Sequence, residues 1–335
     1  MADTSVLNDI VLFHYPLSPY GRRVRWYLAL RAIPYAECIQ PVILPRPDLD
    51  ALGIKYRRSP CMAIDRDVYV DSRMIIQRLE ELYPDDSEFP MLSSKEIAGL
   101  TALLNKFVID GSVFSKGVGI MPEVPARSDN KFVKDRAGFY GKQWNIHDTA
   151  KHKPENMAHL RQCFEIAESL FVDNRDWVAG TSRPSLADLE GVWSFAWILS
   201  DLQPPPKHFS KAIYPKVYAW CERFQAAVQS AQARAPKVVS LKGSEAVPYL
   251  LGRPLAELDP IVEPDDPLQL RRGALVDLYP TDGGGFTHQD RGTLVKLTKD
   301  EVAIEVHAPT GEAVYIHAPR WSFRIEEVAS RAKLA

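Results

Sequence analysis

The junction at residues 10–30 constrains this chain most. Ile10-Val11-Leu12-Phe13-His14-Tyr15 is a short run of β-branched, aliphatic and aromatic residues, and it predicts a buried strand. Pro16 stops that strand, and Ser18-Pro19 opens a helix that runs to Leu30. Serine is a favoured N-cap, and proline at the first helical position loses no hydrogen bond. Val24, Tyr27 and Leu28 recur at helical spacing as the inner face, with Arg22, Arg23 and Arg25 expected largely on the other faces.

The same alternation continues. Tyr35 to Ile39 reads as a second strand, and Pro41 to Arg58 as an irregular segment with a short helix at Leu49 to Ile54. Cys61 to Ile64 and Val68 to Val70 form two short strands across the turn Asp65-Arg66-Asp67. Met74, Ile75, Leu79 and Leu82 then mark an amphipathic helix that ends at Pro84. Strand, helix, strand, helix or loop, hairpin, helix is the order of a small α/β unit.

Pro84 to Ser94 reads as a linker, and from Lys95 to Ala235 the periodicity is helical. Leu160, Cys163, Phe164, Ala167, Leu170 and Phe171 share one face; so do Leu186, Leu189, Trp193 and Ala196, and later Val217, Trp220, Cys221, Phe224 and Val228. These are core stripes of a bundle. Val118 to Lys134 is expected to be a loop. After Ala235 come strand-like runs at Gly273 to Tyr279, Gly292 to Leu297, Glu301 to His307 and Ala313 to His317, reached through the linker Val238 to Pro267. The expected division is 1–86, 87–238 and 239–335: an α/β domain, an all-helical domain, and a linker with a small all-β, barrel-like extension. The extension is expected to carry its own core, so that a chain ending near Val239 keeps its fold.

Composition narrows the function. The 335 residues suffice for two or three domains, and 41 basic against 43 acidic residues lack the excess of a nucleic-acid binder. No apolar stretch approaches the ~18 residues that span a bilayer, and Met1 to Asp9 lacks the basic start of a secretory leader. Cys38, Cys61, Cys163 and Cys221 form no Cys-x-x-Cys, which fits a reducing, cytoplasmic setting. His147, His152 and His159 have no metal-ligand spacing with Cys, so no metal site is expected. Asp282-Gly283-Gly284-Gly285-Phe286 lacks the Lys-Ser/Thr of a phosphate loop. His307 and His317 flank a hairpin without making a site. Trp193, Trp197 and Trp220 read as core, with Trp197 a candidate pocket wall.

Four local features together resemble the glutathione S-transferase superfamily over residues 8–235. Ser18-Pro19-Tyr20, with Arg23-Val24-Arg25 downstream, resembles the zeta- and omega-like transferases, in which a Ser or Cys here faces the glutathione sulfur. Arg58-Ser59-Pro60-Cys61 is similar to the family's cis-proline strand, with Ser59 in place of an aliphatic residue. Asp71-Ser72 resembles the Glu/Asp-Ser pair that holds the γ-glutamyl group, with Asp for the commoner Glu. Gly180 to Asp188 resembles the family's Ser/Thr-x-x-Asp capping box. Tyr56 to Pro60 and Arg66 to Asp71 are most similar to a fungal branch carrying a C-terminal β extension.

The resemblance implies a thioredoxin-like first domain, glutathione as co-substrate, a hydrophobic electrophile bound between the first two domains, and a homodimer without nucleic-acid or membrane partners. It implies that Ser59 and Pro60 pair with the cysteinyl backbone and that Asp71 and Ser72 meet the γ-glutamyl end, where a helix N-terminus favours a carboxylate. Lys55, Arg57 or Arg58 is a candidate for the glycyl carboxylate; solvated surface charge is the alternative for each. Ser18 either donates to the sulfur or only caps its helix, and Tyr15 and Tyr20 are rival donors. The expected chemistry is thiolate attack in detoxification or secondary metabolism. A glutathione-dependent double-bond isomerase and a non-catalytic binding module are the alternatives.

Overall fold

A computed structural model describes residues 9–83, 90–111, 113–122, 129–140, 150–255, 261–282 and 288–328. The first unit comprises β1 (Ile10–His14), α1 (Pro19–Leu30), β2 (Ala36–Ile39), α2 (Pro47–Ala51), β3 (Cys61–Ile64), β4 (Asp67–Val70) and α3 (Ser72–Leu82). β1 pairs parallel with β2 and antiparallel with β3, and β3–β4 is an antiparallel hairpin, a thioredoxin-like arrangement. Every residue of β1 is buried. The two-residue period of a strand sends Ile10 and Leu12 into a core shared with α1, α3 and the helical domain, and Val11 and Phe13 into a second core on the other face.

The helical domain contains α4 (Ala98–Ile109), α5 (Val113–Val118), α6 (Asn130–Tyr140), α7 (Lys153–Ser169), α8 (Leu186–Trp197) with a π-helical turn at Ile198–Leu202, and α9 (Pro215–Arg234). The loop expected over Val118 to Lys134 is narrower than the sequence suggests, because α6 begins at Asn130; residues 123–128 lie outside the described set. Helix α8 is buried along nearly all its length and starts with the expected capping box, Ser185 and Asp188 bonding reciprocally. Gly191 lets α9 approach: a Cβ there would sit 2.5 Å from the Trp220 ring.

The β-rich extension departs from expectation. Its strands are β5 (Val239–Ser240), β6 (Leu275–Pro280), β7 (Asp290–Leu297), β8 (Glu301–His307), β9 (Ala313–Pro319) and β10 (Phe323–Glu327), with α10 (Gly243–Leu251) after β5. All join the first unit in one ten-stranded sheet of order β10-β6-β7-β8-β9-β4-β3-β1-β2-β5. The extension is therefore an open continuation of the sheet rather than a barrel: β9 spends its second edge on β4, and β10 pairs only with β6. Its core is not its own either. Val276, Leu294, Ile304 and Ile316 pack in the same cluster as Val11, Phe13, Cys38 and Val68. At Gly53 (φ +79°) a Cβ would sit 2.4 Å from the His307 carbonyl, so only glycine lets the end of α2 meet the β8–β9 turn.

Candidate functional site

The start of α1, the entrance to β3 and the N-terminus of α3 converge. The β3–β4 register sets Cys61 opposite Val70, which aligns Arg58, Ser59 and Pro60 with Asp71 and Ser72. The Ser59–Pro60 peptide is cis. Ser18 is buried; its Oγ accepts the Gly21 amide at 3.0 Å and donates to the Ser59 carbonyl at 3.4 Å. The hydroxyl therefore caps α1, and its single proton goes into a long, weak bond.

Asp71 sits at φ +70°, a conformation costly for a residue with a side chain, and caps α3. Its carboxylate accepts the Arg73 amide at 2.9 Å and the Arg73 guanidinium at 3.0 and 2.8 Å. Burial alone would raise the carboxyl's pKa, but Arg73 and then Arg58 hold it below the ordinary value. Ser72 is buried and accepts from Arg23 Nη1 at 2.8 Å.

Arg23 corrects the sequence expectation that it lies off the inner face. It is fully buried, pairs with Glu190 of α8, and Asn105 of α4 completes that carboxylate at 2.7 Å. The reason is that α1 is covered on two sides, by α3 and by α8 and α9, so residues flanking the apolar stripe are also enclosed. Its position four residues before Tyr27 is the local signal for that shared face.

The three candidate cations all face acids. Lys55 Nζ lies 2.7 Å from Asp50, Arg57 Nη2 3.0 Å from Asp135, and Arg58 Nη1 2.8 Å from Asp282. Arg57 and Arg58 also lie over the Phe139 ring. Tyr20 packs its ring against Phe114 and Trp193, both at 4.7 Å. Burial first, then Asp71, raises its phenol above the usual range, so it can donate a hydrogen bond but does not ionise; no hydrogen bond to it is found among the described residues. The Tyr15 ring lies under the Arg46 guanidinium instead, 5.7 Å away. Ser18, Ser59, Pro60, Asp71, Ser72, Arg58 and Tyr20 thus share one end of the sheet, and the Tyr15 side chain turns towards Arg46.

The sequence reading missed Asp282, which the extension delivers to Arg58, and Arg73, which holds Asp71. Phe323 of β10 stacks on Tyr56 at 6.2 Å, and Trp321 donates to Asp110 at the end of α4 at 2.8 Å. These long-range contacts leave no local signature. Trp193 and Trp197 are core residues, with Phe114 against both. His147 and residues 283–287 lie outside the described set. Among the described residues no group of three or more His, Cys, Asp or Glu is arranged to hold a metal. No helix described is long and apolar enough to cross a membrane.

A thioredoxin-like unit with a cis-proline edge, joined to a helical bundle whose buried helix α8 starts with a Ser-Asp capping box, defines the glutathione transferase fold. Residues 12–87 match the glutathione S-transferase N-terminal domain. Residues 117–233 match a domain of unknown function (DUF7962). A GST-like protein from Pseudomonas syringae superposes with a TM-score of 0.69 at 20% identity, covering 96% of this chain and 100% of its own. That match spans the extension as well, so the whole layout recurs in a bacterial protein. The tau-class transferase of mango, Mangifera indica, matches at 0.49 and 16% identity over 68% of this chain and 93% of its own. Rice GST1, solved in complex with glutathione, matches at 0.49 and 13% over 72% and 94%. No curated protein matches.

Proposed function

We propose that the protein binds glutathione along the Ser59–Pro60 edge and the N-terminus of α3, and readies its thiolate beside Ser18 for attack on a hydrophobic electrophile. The observation that carries this reading is the 3.4 Å contact between Ser18 Oγ and the Ser59 carbonyl, which joins a helix-start hydroxyl to the cis-proline edge. A sulfur lying there meets a donor whose present bond is weak, and the amino end of α1 favours negative charge. Ser72 and the first amides of α3 face the γ-glutamyl carboxylate. The rings of Tyr20 and Phe114 offer an apolar wall on the helical side.

Isomerisation of a double bond starts from the same thiolate and returns glutathione unchanged; a mass-neutral product distinguishes it from conjugation. The non-catalytic module has a specific observation in its favour: Ser18 already spends its proton on Ser59, and each candidate cation already faces an acid. A homodimer, implied by family likeness, must use a surface other than the outer edge of β4, which β9 of the same chain covers. Four free, buried cysteines support a reducing, cytoplasmic setting.

The test is retention on glutathione-agarose, then turnover of a generic aryl halide and thiolate absorbance against pH for wild type and Ser18→Ala. A thiolate donor lost in Ser18→Ala raises the pKa of bound glutathione and lowers kcat by roughly 10²–10³. An unchanged titration and turnover would leave Ser18 a cap and turn attention to Tyr20. Retention without turnover supports the binding module, and no retention overturns both readings.

A further inference from the structure

We propose that Arg58, of the three candidate cations, receives the ligand carboxylate, and that Asp282, delivered by the β extension, is its tethered competitor. This rests on the glutathione reading above and adds to it what the extension does at the site.

Arg58 stands two residues before the cis-proline. Its Nη1 donates to Asp282 Oδ1 at 2.8 Å, its Nη2 donates to the Asp282 carbonyl, and the guanidinium lies 5.2 Å from the Phe139 centroid. One residue of the extension thus fills both arms of the fork, in the manner by which arginine takes a carboxylate. The neighbouring cations offer no substitute, since Lys55, Arg57 and Arg73 face Asp50, Asp135 and Asp71. Glutathione carries more negative than positive charge. It therefore enters a site whose cations are already balanced, and gains an ionic contact by displacing one of these acids.

Asp282 is held less firmly than the buried acids Asp71 and Asp135. Asp71 is tied to the amide and guanidinium of Arg73, and Asp135 is nearly buried and also accepts the Leu44 amide at 3.1 Å. Lys55 and Asp50 form an open surface pair, each about half exposed. Asp282 has 36% of its side chain exposed, lies just beyond the end of β6, and accepts no hydrogen bond except those of Arg58 among the described residues. Ligand binding and the Arg58–Asp282 pair therefore exclude one another, and by linkage a bound ligand loosens the extension's hold at this point.

The experiment is calorimetric titration of the full chain with glutathione for wild type, Asp282→Asn, Arg58→Gln and the double variant. Thermal melts check that each variant is folded, and Asp282→Ser serves as a second replacement. Asp282→Asn is expected to tighten glutathione about three- to tenfold, within the range for a partly exposed pair. The gain should vanish in the Arg58→Gln background. Binding seen only in Asp282→Asn also supports the proposal. Unchanged affinity overturns it, and weaker affinity overturns it by making Asp282 a ligand contact. If neither wild type nor any variant binds, the glutathione reading itself falls.

Discussion

Asp67 and His317 stand 250 positions apart in the chain and lie 2.8 Å apart, the carboxylate against Nε2 of the imidazole. Glu301 takes the other ring nitrogen at 2.6 Å, and Lys296 closes on Glu301 at 2.6 Å. The ring stacks on Tyr69, which Arg78 contacts from α3, and meets Tyr315 edge-on. The group spans β4 of the first unit and β8 and β9 of the extension, where the two halves of the sheet join.

His317 predicts a pH-dependent junction. Burial alone would lower its pKa, but the hydrogen bonds and charges of Asp67 and Glu301 raise it above 6.5. The stabilisation is therefore full below 6.5 and is lost as pH rises through the folded value. Glu301, which burial would raise but His317 and Lys296 hold down at about 2, adds stability above 4.5 that is lost as pH falls towards 2. His317→Gln should cost about 3 kcal/mol between those limits, shrinking at higher pH. Urea midpoints from pH 4.5 to 9 check this; a deficit that grows above pH 8 would contradict it.

Asp290 predicts the opposite opportunity. It is buried, accepts the Lys55 amide at 2.6 Å, and burial pushes its carboxyl up from 3.8 to about 7 despite the Lys55 and Tyr56 amides. The contribution of Asp290 to stability therefore declines as pH rises from 3.8 to about 7. Asp290→Asn keeps an acceptor without the charge and should be more stable than wild type at pH 8, on the order of 1–3 kcal/mol, and similar at pH 4. Thermal melts at the two pH values decide it.

The capping box of α8 should show how much of Asp188 is local. Asp188 accepts the Val178 amide at 2.8 Å, the Trp220 indole at 2.9 Å, and the Ser185 amide and hydroxyl at 2.9 and 2.7 Å. Ser185→Ala removes one partner and should cost about 0.5–2 kcal/mol. Asp188→Ala strands several buried donors and should cost more, about 3–5 kcal/mol. Equal losses in chemical denaturation would mean that only the cap matters.

A chain ending at residue 238 should not be a folded protein, contrary to the expectation of an independent extension. Val11, Phe13, Val68 and Val70 would lose the partners that the extension supplies to the shared core, each at up to about 1.5–3 kcal/mol, the value for full burial of a large aliphatic or aromatic side chain. Gel filtration and near-ultraviolet dichroism provide the check; a monomer with native dichroism would refute it.

What was legible in the sequence follows the range of the interactions. The Ser18 cap, the β3–β4 hairpin and the Ser185–Asp188 box are made within a few residues, and their turn and capping chemistry is written locally. The convergence of Ser18, Ser59 and Asp71 was readable only because strand and helix order sets it. The burial of Arg23 depends on a carboxylate 167 positions away, and the Arg58–Asp282 pair closes 224 positions. Strand β10 and helix α10 were missed for related reasons: Phe323 to Glu327 alternates with charges, and Pro248 interrupts the helical pattern.

The pairing of β4 with β9 also sets a schedule for synthesis. Residues 67–70 leave the ribosome long before residues 313–319 exist. At roughly 5–20 residues per second, translation of the interval takes on the order of 12–50 s, and during it β4 is an open strand edge of the kind that recruits other chains. Nascent chains of this protein are thus vulnerable to misassembly from the emergence of β4 until β9 is made. Ribosome stalling within the helical domain would prolong that exposure, and chaperones that mask strand edges would act on this interval.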